Sequence, residues 1–290
     1  MVRQRHRYRN RAISTRFFAA KNTVEAIQFA MMEPTLSAHR LMFSDITDAL
    51  RTGQIVFRAI PAASCAFAAV LAGFGMALLS AITALGFSPM ALPFAGGFML
   101  VGPILLTGFF ELSRRHAIGQ KPTLGHALGA FWRAPNGLWL VAALCAFLFL
   151  IWVTDAGVLY SFTLGGKIET VGTNWLSAFR HDAWPFHFWG SLAGSVLAYI
   201  IFTISAFSVP LIYDARATAT EAIHASARTV MGNFIVCIAW GILLGGVVIC
   251  SIILLPLLLL TLPVMAYASY ALYQRAFPDS SHFTSPLERG

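Results

Sequence analysis

Charged residues are spread so unevenly along this chain that they divide it before any motif is sought. No Asp, Glu, Lys or Arg occurs in 59–110, 134–154, 183–213 or 229–274, stretches of 52, 21, 31 and 46 residues. A helix crossing a bilayer needs about 20 apolar residues at roughly 1.5 Å rise each. The second and third stretches therefore hold one spanning helix each, while the first and fourth are long enough to run out and back. "GFSPMALP" (86–93) breaks the first with a glycine and two prolines, a turn signal. The turn in the fourth is placed near Cys250–Pro256. The pattern predicts six transmembrane helices, near 61–83, 91–112, 137–158, 189–212, 233–253 and 255–274.

Three shorter segments with polar edges stand before the first, third and fifth spans: "ITDALRT" (46–52), "LGHALGA" (124–130) and "ATEAIHA" (219–225). Helical spacing puts Ile46, Ala49, Leu50 and Phe57 on one face, Leu124, Ala127, Leu128 and Phe131 on another, and Ile223, Ala227, Val230 and Met231 on a third. Thr218 with Glu221 reads as a capping box, and Thr123 as an N-cap. These segments, near 46–58, 124–133 and 219–231, are expected to be amphipathic helices lying at the membrane interface. The returning spans carry "VGPILL" (101–106), "SVPLIY" (208–213) and "TLPVMA" (261–266), each with a proline: Pro103, Pro210 and Pro263. The expected fold is all-α, a polytopic membrane bundle of six helices in a pseudo-threefold arrangement of hairpins, each preceded by a short interfacial helix. A proline within lipid requires a neighbour to satisfy the carbonyl it frees.

Composition supports that class, with 58% hydrophobic and 11% charged residues against about 25% charged in soluble domains. Charge then orients the chain. With the N-terminus inside, the inner segments hold ten, four, two and two Lys or Arg, and the outer loops hold Lys167 and Arg180 alone. Eighteen against two is a strong positive-inside signal. It places both termini in the cytoplasm, with 1–42 as a basic tail, 43–277 as the membrane domain and 278–290 as a short C-terminal tail. The net charge of +8 then reads as topology and as attraction to anionic lipid headgroups. "RQRHRYRNR" (3–11) has one aromatic residue and no recognisable nucleic-acid-binding fold, so nucleic acid is not the expected partner. The tail's lack of acids before Glu25 would also suit a transit peptide.

"VGPILLTGFFELSRR", "SVPLIYD" and "LPVMAYASYALYQRAF" resemble the bacterial family called domain of unknown function 2189, predicted integral membrane proteins, over about residues 43 to 277. The resemblance implies a bacterial inner membrane and no established activity. Some members carry a label of cytochrome c oxidase subunit I. Haem and copper there require histidines inside the membrane. Of the eight histidines only His187 enters a charge-free stretch, at its outer end, so that label is not expected to transfer.

Other chemistry is equally sparse. The chain has no G-x-S-x-G, no HExxH and no Gly-rich phosphate loop, and neither catalytic residue, metal nor cofactor is expected. Cys65, Cys145, Cys237 and Cys250 fall in predicted spans without a CxxC pair, as small apolar packing residues do. Ser191, Ser195 and Ser205 are expected to bond to their own helix. Gly190–Gly194 and Gly241–Gly245 keep GxxxG spacing, read as contacts within the bundle. "NWLSAFRHDAWPFHFW" (174–189) reads as an interfacial aromatic belt.

The positions singled out are Pro103, Glu111, Asp155, Pro210, Asp214 and Pro263. Glu111 and Asp214 read as boundary markers at the inner headgroups, with charges that need not be buried. Asp155 reads as a helix-end residue near outer water, with Lys167 or Arg180 its partner if buried. Two functions are weighed. One is a non-enzymatic structural, assembly or envelope-associated protein, with an unidentified protein partner in the membrane; the other is a small transporter or lipid-handling protein.

Overall fold

The computed structural model describes residues 38–85, 105–164, 184–253 and 255–278, and all regular structure among them is helical. The helices are α1 (Phe43–Ala59), α2 (Pro61–Ala84), α3 (Thr107–Ala117), α4 (Leu124–Trp132), α5 (Asn136–Leu164), α6 (Trp184–Ser205), α7 (Ser208–Tyr213), α8 (Ala219–Gly232), α9 (Phe234–Ile253) and α10 (Leu255–Ala276). The chain divides at Ser37, and every described residue belongs to the unit that begins at Ala38. Residues 1–37, the "GFSPMALP" turn, Pro103, Lys167 and Arg180 lie outside the described residues.

Among the described residues, four stretches are long and apolar enough to cross a membrane: Pro61–Leu78, Asn136–Phe162, Phe188–Tyr213 and Leu257–Ala276. A fifth is reached if α8 and α9, bent by 102° at their junction, count as one broken span. The expected six are not reached among the described residues, where most of the second span is not included. α9 ends at Ile253 and α10 begins at Leu255, inside the stretch where the pattern put a turn. Ser251 and Thr261 would stand about 15 Å apart along a continuous helix, yet their hydroxyls lie 2.7 Å apart. The chain doubles back between them.

Each short polar-edged segment is a separate helix, α1, α4 and α8, set before α2, α5 and α9. All three begin alike. The backbone N–H of the N-cap donates to the side chain three residues on: Met42 to Asp45 Oδ2 at 2.8 Å, Thr123 to His126 Nδ1 at 3.2 Å, and Thr218 to Glu221 Oε2 at 2.9 Å. This satisfies a donor that would otherwise compete with the first turn. Counting from these caps, Ile46, Ala127 and Ala222 correspond, and one turn later Ala49, Ala130 and Ala225. All six are buried. The cap register therefore pairs Ala49 with Ala130 rather than with Ala127. Two face assignments change as well. Leu128 and Met231 are exposed, and the buried face of α8 is Ala222, Ala225, Ser226, Thr229 and Val230. Small residues bring these helices close to the spans, so the packed face is not the most hydrophobic one.

α1 lies along α10, and Gly53 marks a close approach. A β-carbon there would stand 2.5 Å from the Val264 carbonyl oxygen and 3.0 Å from the Ala268 nitrogen. His39 N–H donates to Ala276 O at 2.8 Å, and Leu41 N–H to Asn233 Oδ1 at 2.8 Å. Arg275 joins Asp45 at 3.2 Å and Asp48 at 3.1 Å. A core of Phe67, Ala68, Phe109, Leu112, Ala127, Ala266 and Tyr267 joins α2, α3, α4 and α10. Phe67 and Phe109 meet edge to face at 4.8 Å, and Phe109 and Tyr267 at 5.7 Å. Gly108 leaves room for the Phe67 ring. α5 and α6 meet at Gly190 against Leu159 and Gly194 against Trp152, so the first GxxxG spacing serves packing within the bundle. Gly245 of the second has no such neighbour among the described residues.

Of the three prolines singled out, Pro263 and Pro210 are described, and each lies close to a backbone bond replaced from another helix. Pro263 has no N–H to give Leu259 O, and the Cys65 thiol of α2 stands 3.8 Å from that carbonyl. At the α6–α7 break, the Ser226 hydroxyl of α8 accepts from Phe207 N–H at 3.2 Å and donates to Thr203 O at 2.7 Å. Those two groups are each other's partners in an unbroken helix. A side chain inserted into the ladder bends the helix, here just ahead of Pro210.

Candidate functional site where the return helices converge

The ends of α3, α7 and α10 meet in a polar and aromatic cluster. Glu111 of α3 is its centre. Its Oε2 accepts from Arg114 Nη2 at 2.6 Å, Arg114 Nε at 3.1 Å and the Tyr213 hydroxyl at 2.6 Å, and its Oε1 accepts from Arg115 Nε at 2.7 Å. Only 3% of its side chain is exposed. The boundary-marker reading of Glu111 is corrected here: the carboxylate is buried, and it is tolerated because charged donors on its own helix and a tyrosine from α7 surround it.

Asp214 follows α7 directly. Both of its oxygens accept from the Tyr270 hydroxyl of α10, at 2.9 and 3.1 Å. Burial pushes its carboxyl above the ordinary value, against the opposing pull of that hydrogen bond and of nearby arginines. Phe110 stacks on Tyr270 at 4.8 Å and meets Tyr213 edge-on at 6.0 Å. Arg114 lies 5.5 Å from the Tyr213 ring centre, within reach of a cation–π attraction.

Backbone geometry aims the remaining cation. Ala215 takes a left-handed φ of 55°. Its N–H donates to Ile212 O at 3.0 Å and that of Arg216 to Leu211 O at 3.0 Å, the Schellman pairing that closes a helix. Arg216 then reaches α10, with Nη1 donating to Phe277 O at 2.6 Å and the Tyr273 hydroxyl at 3.3 Å. A guanidinium on the last carbonyls of a helix meets their partial negative charge. α3 ends in the same motif, with Gly119 at φ 74°, Gly119 N–H on His116 O and Gln120 N–H on Arg115 O, both at 2.9 Å. Pro103 lies sixteen residues before Gly119 and Pro210 five before Ala215. The two prolines are therefore not equivalent when the helices are aligned by their ends.

Of the positions singled out, Glu111, Asp214 and Pro210 lie at this convergence. Pro263 lies further along α10 beside Cys65 and α1. Asp155 is elsewhere, exposed on α5 and nine residues before that helix ends. The tyrosines were missed. Tyr267, Tyr270 and Tyr273 recur at three-residue steps in "AYASYALYQ", a spacing that keeps neighbours on adjoining faces of a helix, and that signal was readable.

Chemically the cluster is a set of internal ties. No buried side-chain nitrogen or oxygen among the described residues lacks a hydrogen-bond partner, and no group of three or more His, Cys, Asp or Glu among them could hold a metal ion. Ser195 and Ser205 donate to Ser191 O and Ile201 O in their own helix, both at 2.7 Å. All four cysteines are free thiols.

Several apolar helices, exposing Phe74, Phe147, Leu150, Leu192 and Val196 along their lengths, define an integral membrane protein of the all-helical class. The family model described as predicted integral membrane protein, domain of unknown function 2189, matches residues 90–214. This is less than half of the chain and narrower than the stretch over which the motifs resemble that family. It includes Glu111, Tyr213 and Asp214 and stops before α8, α9 and α10. No curated protein and no solved structure matches the chain.

Proposed function

We propose that the chain is a non-enzymatic protein of a bacterial inner membrane, with both termini cytoplasmic, that supports the assembly or organisation of other membrane components. The observation that carries this reading is the set of donors around Glu111. Four donated hydrogen bonds engage both of its oxygens, one of them from Tyr213 of another helix, so this buried acid serves to tie helices. A carboxylate that relays protons or binds a solute needs an oxygen free to exchange partners. The burial of Cys145 and Cys237 supports the same reading.

Two measurements on the full chain test this. Affinity purification in mild detergent should bring down the same membrane proteins at a fixed ratio in independent preparations. In native membranes, Cys145 and Cys237 should resist a water-soluble maleimide until the protein is unfolded. Rapid labelling of either thiol, with the chain recovered alone, would point to a wet pathway and defeat the scaffold reading.

A further inference from the structure

We propose that the outward stripe of α1 binds the headgroups of anionic phospholipid in the membrane the chain spans, with Arg51 and Arg58 as the contacts that bear the charge. Phe43, Thr47, Arg51 and Ile55 follow at four-residue steps, and Gln54 and Arg58 continue the same side. All six are exposed. The opposite side, Ile46, Ala49 and Gly53, is buried against α10.

Charge is sorted between these sides. Asp45 and Asp48 turn toward Arg275 of α10 at 3.2 and 3.1 Å. Arg51 and Arg58 form no ion pair or hydrogen bond with any described residue. A stripe meant only for water would not need Phe43 at 57% and Ile55 at 60% exposure beside those cations. Guanidinium groups between large apolar side chains suit the boundary where phosphate meets acyl chain. Position fixes the depth: α1 ends at Ala59 and the first span opens at Pro61, so Ile55 and Arg58 stand within two turns of the apolar stretch.

The inference rests on the membrane placement of the chain and is independent of whether it assembles partners. The test is thermal unfolding of the full chain in neutral detergent, with phosphatidylglycerol, phosphatidylcholine or inorganic phosphate added. Phosphatidylglycerol should raise Tm more than phosphatidylcholine at equal mole fraction, phosphate at the same concentration should not, and salt should shrink the gain. The double variant Arg51→Gln/Arg58→Gln should lose at least half of the gain, while Arg51→Lys/Arg58→Lys keeps it. The arginines of residues 3–16 are present in every variant, so the difference isolates α1. Three results overturn the proposal: an equal gain from both lipids, a full gain in the glutamine variant, or a loss as large in the lysine variant. A stripe that answers to an acidic protein and not to lipid would give the first of these.

Discussion

Replacing Gly53 by alanine separates close helix contact from helix propensity, because the two effects have opposite signs. The added carbon would lie 2.5 Å from Val264 O, 3.0 Å from Ala268 N and 3.1 Å from Ala268 Cβ. Two of those obstacles are backbone, which cannot rotate away, so α1 must lift from α10. Overpacking typically costs about 1–3 kcal/mol, and backbone obstacles place this site near the upper end. Against it stands the preference of a helix for Ala over Gly, about 1 kcal/mol. The net loss is about 2 kcal/mol, or roughly 4–8 °C in Tm for a chain of this size. Lifting α1 also stretches the Arg275 contacts to Asp45 and Asp48. Gly73 of α2 is the control, with nothing within 4 Å of its would-be β-carbon. Gly73→Ala should leave Tm unchanged or raise it by a few degrees. The assay is intrinsic-fluorescence unfolding in mild detergent with the three proteins side by side. Equal Tm for Gly53→Ala and wild type would refute the docking of α1 on α10.

Glu111→Gln should lower stability by about 2–4 kcal/mol, since a buried acceptor of charged and hydroxyl donors is replaced by a neutral one. Arg114→Gln should cost about 1 kcal/mol or less, because Arg114 is 54% exposed and water screens it; a reversed order in thermal unfolding would contradict the geometry of the cluster. Ser226→Ala leaves Phe207 N–H and Thr203 O without their bridge and should cost about 1–3 kcal/mol. If it costs nothing, α6 and α7 straighten to restore the direct bond, and the hydroxyl is not what holds the bend. Asp214 has a folded pKa above its unfolded value, so its contribution to folding is present in full below the usual carboxylate range, near about 4, and is lost as pH rises through the raised value. Asp214→Asn should therefore gain Tm relative to wild type between about pH 4 and pH 7; a gap that stays constant or narrows would show that burial is not the dominant cause. Reporter fusions after residues 88 and 170 should read periplasmic and those after 120, 220 and 280 cytoplasmic, and a periplasmic signal at 280 would remove one span.

Spacing of charge along the chain determined by itself where four of the long helices begin. α2, α5, α9 and α10 begin within a residue of the places where the charge-free stretches and their turn put them, because lipid excludes charge over a fixed thickness. The short helices α1, α4 and α8 were likewise legible from apolar period, with capping residues marking α4 and α8, signals that act over a turn or two. Which face of each helix is inward was less legible. Leu128 and Met231 are more hydrophobic than Ala127 and Ala222, yet the alanines face the bundle and the larger residues face outward. In a membrane both directions are apolar, so hydrophobicity no longer marks the inside, and close approach selects small side chains instead. The buried state of Glu111 belongs wholly to the tertiary structure. An acid followed by two arginines reads as a helix leaving the membrane until Tyr213, 102 residues later, closes over it. The Ser226 bridge is of the same kind. Nothing local marks that hydroxyl as the missing link of another helix's backbone, since its meaning depends on how α8 crosses α6 and α7, a relation that only packing decides.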